Sequence, residues 1–336
     1  MITDPMGVFA VCAGVCALVF WSASRSWGQK IFSIVPSVLL VYFIPTLLSF
    51  AGVLPVRSVT YDWMRDFLLP ASLFILMVTT DLRSILRIGP RAIAMMLIGT
   101  LGIVVGGPLV FAIFRSGLPS ESWKALAALS GSWIGGGGNF AAVKEAVKAP
   151  DDLIGPIIVV DTVVAYTWTG VLLFLAKYQE RFDRWNRVEA GLFDELDRRM
   201  RRSNDEQGRA MTLADITGTL AIGFLGAVGA GALAGVLDRS MGPFLRLHSP
   251  SLAPIFSPYT WLVILLTSIG ILLSLTPLRQ IERGGASKLG YAALYLFLTS
   301  LGARANPVGL VAAPLLLLVG VLWILVHAGV LFLGAR

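Results

Sequence analysis

The chain has 336 residues, of which 56% are hydrophobic and only 14% are charged. Soluble domains carry about 25% charged residues, so this composition excludes a single soluble core and predicts an all-α polytopic membrane protein. A formal net charge of +7 would suggest nucleic-acid binding in a soluble protein, but here the basic residues lie between apolar runs. Nucleic acid is therefore excluded as a partner, and a lipid bilayer is expected.

Nine apolar runs predict spanning helices, at residues 6–24, 31–50, 67–80, 90–114, 153–177, 213–237, 259–275, 289–301 and 308–333. No Lys or Arg precedes the first run, whereas Arg25 and Lys30 follow it, which favours an N-terminus outside. The expected location is a plasma membrane. Cys12 and Cys16 lie in the first run without a histidine nearby, so no metal site is predicted.

A further apolar stretch, residues 123–148, is interrupted by four consecutive glycines, Gly135, Gly136, Gly137 and Gly138. Each glycine lowers helix stability by roughly 0.8–1 kcal/mol relative to alanine, so a continuous helix is disfavoured. Irregular backbone at bilayer depth persists only where it is buried in protein or lines a wet cavity, and its free polar groups can bind a solute or an ion. We predict a re-entrant or broken helical hairpin here, with a binding site at the glycines.

An ionisable side chain, Asp161, lies inside the span 153–177. A charge there costs at least about 2.5–3.5 kcal/mol in lipid, so it is expected to face a partner or a wet cavity. Coupling to a cation or a proton is the functional interpretation, and a hydrogen bond that serves packing alone is the alternative. Asn139 caps the helix that follows the glycines, or binds a cation. The other candidates for the same substrate or ion site are Ser132, Thr162, Thr79, Thr80 and Asp81.

A charged segment, residues 177–212, divides the chain into two transmembrane halves, 1–176 and 213–336. Apolar residues recur at helical spacing within it, which predicts an amphipathic helix on the cytoplasmic membrane surface. Residues 73–83 and 294–304 resemble each other, because in each an apolar run ends in a Thr/Ser pair before a turn and another long apolar helix. Five spans separate these segments if the glycine hairpin is re-entrant, so the halves are predicted to be inverted repeats.

The glycine run and the span after it also carry a family resemblance. Gly-Ser-Trp-Ile-Gly-Gly-Gly-Gly-Asn-Phe-Ala-Ala-Val-Lys-Glu at 131–145, with Ile-Ile-Val-Val-Asp-Thr-Val-Val-Ala-Tyr at 157–166, resembles the YjcL-like family of uncharacterised bacterial integral membrane proteins. Such proteins are similar to the bile-acid/arsenite/riboflavin transporter superfamily and, in hairpin placement, to sodium–glutamate symporters, which implies ion-coupled transport by an elevator or rocking motion. The family has a second Asn- and Gly-rich segment late in its second repeat. Nothing after residues 308–333 matches it, so the second repeat is expected to be incomplete and the chain truncated.

The leading hypothesis is a secondary active transporter, and the positive end of the half-helix starting at Asn139 suits an anionic solute. Sodium or protons are the expected coupling ion, no other cofactor is expected, and a homodimer is a further hypothesis.

The alternatives are a non-transporting scaffold and a membrane enzyme acting on a lipid or isoprenoid. Asp151 and Asp152 form the only adjacent acidic pair outside the charged segment, which is no convincing catalytic set. Lys144 and Lys148 are expected at the surface.

Overall fold

A computed structural model describes residues 1–32, 35–87, 89–176, 178, 182, 209–249, 256–305 and 313–335. Throughout these ranges the secondary structure is helical, and no strand occurs in them. The amphipathic helix predicted within residues 177–212 falls outside the described residues, apart from a few positions at its ends. The all-α class predicted from the sequence is confirmed for the described part of the chain.

The first half has ten described α-helices: α1 Pro5–Ala23, α2 Ser26–Phe32, α3 Ser37–Phe50, α4 Val59–Trp63, α5 Leu69–Thr79, α6 Leu82–Arg87, α7 Pro90–Phe114, α8 Ser122–Gly135, α9 Gly137–Ala146 and α10 Asp151–Ala176. A π-helical turn, Met64–Leu68, joins α4 to α5. Four described α-helices belong to the second half: α11 Leu213–His248, α12 Pro258–Ser274, α13 Ala286–Arg304 and α14 Ala313–Gly334. A 3₁₀-helix, Pro277–Gly284, connects α12 to α13.

Five of the described helices are long and apolar enough to cross a membrane, namely α1, α7, α10, α11 and α14. Helix α12 and the 3₁₀-helix meet at an angle of 92° and add a sixth span if they are counted as one. Helix α3 is apolar but has only 14 residues. The protein is therefore a polytopic, multi-pass membrane protein. The larger number of nine spans depends on shorter segments and stays a prediction.

Part of the helix packing is similar in the two halves. Helix α1 packs against α3 and α13, and α3 packs against α13; in the second half, α11 packs against α12 and α5, and α12 packs against α5. Helices α5 and α13 also contact each other, as do α7 and α14. The α5–α13 pair consequently lies at the centre, while α7, α14, α10 and the α8–α9 pair form an adjoining group of helices.

The contact between α7 and α14 is built around Trp323, which is 1% exposed. Its indole Nε1 donates a hydrogen bond of 2.9 Å to the Ile103 carbonyl oxygen. The ring lies against Gly106 and Gly107, and a Cβ added at Gly107 would be 2.5 Å from Trp323 Cζ2. Because a methyl group there would overlap the ring, these glycines serve the close approach of two helices. Pro108 follows them without ending α7.

Candidate functional site

The glycine run forms the turn of a helical hairpin. Helix α8 ends at Gly135 and α9 begins at Gly137, and Gly136 between them has φ +87° and ψ −171°. A Cβ added at Gly131 would lie 3.1 Å from Val143 Cγ2. In a continuous helix these two positions would be roughly 18 Å apart along the axis, so α9 folds back along α8. This is the helical break that the glycine run predicts.

Backbone hydrogen bonds and one side chain close the turn. The Gly136 N–H donates to the Ser132 carbonyl at 2.6 Å, and the Phe140 N–H donates to the Gly136 carbonyl at 3.0 Å. Asn139 lies inside α9, whose N-cap is Gly136, so the predicted capping role of Asn139 is wrong. Its side chain lies directly over Gly135, where an added Cβ would overlap it. Both Gly135 and Gly136 are exposed. The backbone conformation of Gly136 belongs to a region that is essentially restricted to glycine.

The hairpin turn contacts the helix pair at the centre of the protein. A Cβ added at Gly138 would lie 3.5 Å from Leu73 Cδ2 of α5 and 3.8 Å from Leu294 Cδ2 of α13. These two leucines begin the segments that resemble each other in the sequence. A Cβ added at Gly137, by contrast, would have no heavy atom within 4 Å. The turn therefore packs on both halves through Gly138 and leaves Gly137 facing open space.

Asp161 of α10 is held by two side chains of the hairpin. Its Oδ2 accepts a hydrogen bond of 2.7 Å from Ser132 Oγ, and its Oδ1 accepts one of 2.9 Å from Trp133 Nε1. The Trp133 ring in turn packs on Trp323 of α14, with the ring centroids 4.9 Å apart. Asp161 is half-buried, and no cationic side chain is paired with it among the described residues. Both donors that hold this carboxylate are therefore neutral.

The remaining predicted site residues lie elsewhere or bond to their own helices. Thr162, next to Asp161 in sequence, donates to a carbonyl of its own helix at 2.9 Å, and Thr80 does the same at 2.9 Å. Thr79 and Asp81 line a different cavity, at the ends of α5 and α12. The structure thus brings together Asp161, Ser132 and the glycine turn with Asn139, and it separates them from the cavity that Thr79 and Asp81 line.

Asp81 is an ionised anchor for an arginine. Ser84 donates to it through its backbone N–H at 3.0 Å and its hydroxyl at 2.5 Å, and Arg279 Nη2 lies 2.6 Å from its Oδ2. Burial by itself raises the pKa of this carboxyl. The two Ser84 hydrogen bonds and the positive charges of Arg279 and Arg87 together outweigh burial, so the pKa of Asp81 lies below its ordinary value.

A network of buried and half-buried charges connects the base of the hairpin to α10 and α13. Lys144 Nζ lies 2.7 Å from Glu145 Oε1 and 2.6 Å from Asp151 Oδ1, and Arg304 Nη2 lies 2.9 Å from Asp151 Oδ2. Lys144 is 2% exposed, so the prediction that it lies at the surface is wrong. A buried ammonium group requires paired carboxylates, and the fold supplies two. Lys148, four residues later, is exposed as predicted.

Metal-binding groups are scarce in the described part of the chain, where no set of three or more His, Cys, Asp or Glu is placed to hold a metal. Cys12 and Cys16 are buried and do not form a disulfide. If the hairpin site takes a cation, its ligands are the Asp161 carboxylate, the Ser132 hydroxyl and backbone carbonyls at the end of α8.

The fold and this site define a helical membrane protein with a broken-helix hairpin bound to a carboxylate of the next span. Residues 10–336 match the family model described as "Protein of unknown function (DUF819)", and the chain belongs to this family. It is 29% identical over 275 residues to the uncharacterized membrane protein YjcL of Bacillus subtilis (strain 168), over 80% of this chain and 66% of that protein. The chain thus spans about two thirds of the length of this relative. No solved structure matches the chain. The family resemblance seen in the sequence is confirmed.

Proposed function

We propose that this protein is a secondary active transporter in which Asp161 binds the coupling ion, sodium or a proton, and the hairpin turn binds a small solute. The observation that carries the proposal is the pair of hydrogen bonds from Ser132 and Trp133 to the Asp161 carboxylate. A carboxylate inside a span costs at least about 2.5–3.5 kcal/mol, and neutral donors leave its negative charge in place. A bound proton or sodium ion neutralises that charge.

The hairpin turn supplies the other groups that such a site requires. Helix α8 ends at Gly135, so carbonyl oxygens of its last turn lack partners within the helix, and this negative end of the helix favours a cation. Helix α9 begins at Gly137 with unpaired N–H groups, which favour an anionic group of a solute. Opposed half-helix ends of this kind bind the ion and the substrate in transporters with broken helices. A small anionic solute is therefore the substrate class that we favour.

The symmetry of the helix packing supports the inverted-repeat part of the proposal. Most of the contacts among these helices are kept when α1 is exchanged with α11, α3 with α12, α5 with α13 and α7 with α14; the α11–α13 contact has no equally extensive α1–α5 counterpart. Under this exchange the α5–α13 and α7–α14 contacts map onto themselves, as contacts across a two-fold axis do. The hairpin turn contacts Leu73 of α5 and Leu294 of α13, which correspond to each other under the same exchange. A site at the interface between repeats is typical of transporters.

The remaining parts of the proposal concern the membrane. The protein lies in the bacterial inner membrane with its N-terminus outside, since basic residues follow and do not precede the first span. The nine proposed spans are the five long helices together with α3, α5, α12 and α13, and the α8–α9 hairpin is re-entrant. Movement of one helix group against the other in an elevator-like manner, and a homodimeric state, are proposed from the family resemblance.

A catalytic role is not part of the proposal. Of the adjacent acidic pair, Asp151 is engaged by Lys144 at 2.6 Å and by Arg304 at 2.9 Å. A carboxylate held between two cations is poorly suited to act as a general base or to hold a catalytic metal, because its charge is already compensated. We therefore propose a transporter that uses no cofactor other than its coupling ion.

The test is the melting temperature of the purified full-length protein, measured against sodium concentration and against pH in wild type and in Asp161→Asn. A coupling ion that binds the folded state should raise the melting temperature of the wild type. Asp161→Asn keeps the size of the side chain, and its amide can accept from Trp133 Nε1 and donate to Ser132 Oγ, but the charge is removed, so the response should disappear. Asp152→Asn, at the start of the same helix, is the matched control and should respond like wild type.

Proteoliposomes then test transport itself. Uptake of a solute from a panel of amino acids and organic acids should depend on a gradient of the ion that stabilises the wild type, and Asp161→Asn should lose that dependence. An unchanged ion response in Asp161→Asn would remove Asp161 from the site. Uptake that proceeds equally without any sodium or proton gradient would overturn coupled transport.

A further inference from the structure

A second cavity, away from Asp161, has a strongly basic lining. It has a volume of about 680 Å³ and lies between the ends of α5 and α12, the 3₁₀-helix and the start of α13. Its charged lining residues are Arg83, Arg209, Arg279, Arg283, Lys288, Asp81 and Glu282. Sites for small molecules have volumes of roughly 300–1,000 Å³, so this cavity is large enough to hold one.

Two of the lining arginines are fixed in position by groups of the protein. Arg279 is paired with Asp81 at 2.6 Å, and Asp81 is itself held by Ser84. Arg83 Nη2 donates at 2.7 Å to the Leu275 carbonyl at the end of α12. A guanidinium group has five N–H donors, and these bonds use only a part of them. Because the two side chains are already ordered, a ligand would lose less free energy in immobilising them.

The acidic residues of the lining do not balance the basic ones. Asp81 forms an ion pair with Arg279. Glu282 accepts hydrogen bonds of 2.9 Å and 2.7 Å from the backbone N–H and the hydroxyl of Ser287. Arg283 and Lys288 are exposed and have no ion pair among the described residues. Arg209 is paired with Asp215 by two hydrogen bonds of 2.7 Å, so the other four basic and two acidic side chains leave an excess of two positive charges in a concave surface. Such a surface concentrates the electric field and attracts anions.

We infer that this cavity binds a phosphate-bearing anion, either a soluble phosphate compound or the headgroup of an anionic lipid. Planar guanidinium groups match the oxygens of phosphate in paired hydrogen bonds, and a lysine adds a compact charge. A phosphate compound carries more than one negative charge, which matches an excess of two positive charges. The 3₁₀-helix leaves α12 at 92°, as a segment lying along the membrane surface would, and lipid headgroups occupy that level. The inference does not depend on transport through the hairpin site.

The experiment uses the purified full-length protein in nanodiscs at constant ionic strength. One arm titrates inorganic pyrophosphate into nanodiscs of phosphatidylcholine, and the other arm replaces part of the phosphatidylcholine with phosphatidylglycerol. Binding is measured by calorimetry in the first arm and by melting temperature in both. A melting temperature that rises with pyrophosphate alone identifies a soluble ligand, and one that rises with phosphatidylglycerol alone identifies a lipid. If the melting temperature rises with both probes and phosphatidylglycerol weakens the binding of pyrophosphate, the cavity recognises the phosphate group that the two probes share.

Arg283→Gln/Lys288→Gln removes two unpaired charges of the cavity and should weaken binding of the active probe by about tenfold or more. Arg115→Gln/Arg239→Gln removes the same charge from exposed positions outside the cavity and should bind like wild type. Asp161→Asn should also bind like wild type, which separates this inference from the transport proposal. Equal weakening in the two double variants, or no response to either probe, would overturn the inference.

Discussion

Buried Lys144 of the hairpin and half-buried Asp151 of α10 form an ion pair of 2.6 Å, and Arg304 of α13 binds the other oxygen of the same carboxylate at 2.9 Å. These charges come from three helices, and Glu145 gives Lys144 a second carboxylate at 2.7 Å. Buried charges are stable only when they are paired, so each helix depends on the others here. The base of the hairpin is thereby fixed to both neighbouring helices.

Lys144→Met tests this network. The change removes the buried cation and leaves Glu145 and Asp151 as insufficiently compensated negative charges, which should lower the free energy of unfolding by about 3–5 kcal/mol. The measurement is the melting temperature in detergent. Lys148→Met, an exposed position at the end of the same hairpin, should change stability by less than about 0.5 kcal/mol. Equal losses in the two variants would contradict a structural role of the buried network.

Gly136→Ala tests the hairpin turn. Alanine strongly disfavours φ +87° with ψ −171°, so the variant should lose about 1–3 kcal/mol of stability. Gly137→Ala is the matched control, because its Cβ would meet no heavy atom within 4 Å and its φ is not in the left-handed region. That variant should be as stable as wild type or slightly more so. Similar melting temperatures for the two variants would argue against the turn described here.

Gly107→Ala tests the packing of α7 on α14. Its added methyl group would come within 2.5 Å of Trp323, and overpacking of this kind costs about 1–3 kcal/mol. Gly170→Ala, an exposed position in α10 where a Cβ meets nothing within 4 Å, should be neutral or stabilising, since alanine favours a helix. Thermal unfolding followed by circular dichroism measures both. A stable Gly107→Ala protein would mean that the indole can leave its position.

Cysteines at Ser120 and Asp152 test the re-entrant topology. The two positions flank the hairpin, and because α9 folds back along α8 they should label from the same side of the membrane. The experiment uses a membrane-impermeant maleimide on intact cells, with Cys12 and Cys16 replaced by alanine. Labelling from opposite sides would mean that the α8–α9 segment crosses the membrane, and it would contradict the proposal of inverted repeats.

The parts of the site that depend on local sequence could be predicted. Four successive glycines weaken a helix wherever they occur, and the break lies at Gly136, within the run. An aspartate in a span needs hydrogen-bond partners. Ser132 and Trp133, which precede the glycine run, provide them. Ser132 was among the predicted site residues, whereas Trp133 was not. An indole N–H in an apolar helix signals little until its orientation is known.

The parts that depend on distant residues could not be predicted. Lys144 looked like a surface residue because its sequence neighbours reveal neither that Asp151 lies close in space nor that Arg304, far along the chain, shares the same carboxylate. Thr79 and Asp81 likewise looked like members of the Asp161 site. They line a basic cavity instead, because α5 contacts both α12 and the 3₁₀-helix, which are far from α5 in the sequence.

Trp323 also limits how the protein can change shape. Its indole fills the space above Gly106 and Gly107, and its N–H is bound to the Ile103 carbonyl. Sliding α14 along α7 by one helical turn, about 5.4 Å, would break this bond and move the ring away from Gly106 and Gly107. This contact therefore favours a single register of α7 and α14, and we expect the two helices to move together when one group of helices moves against another.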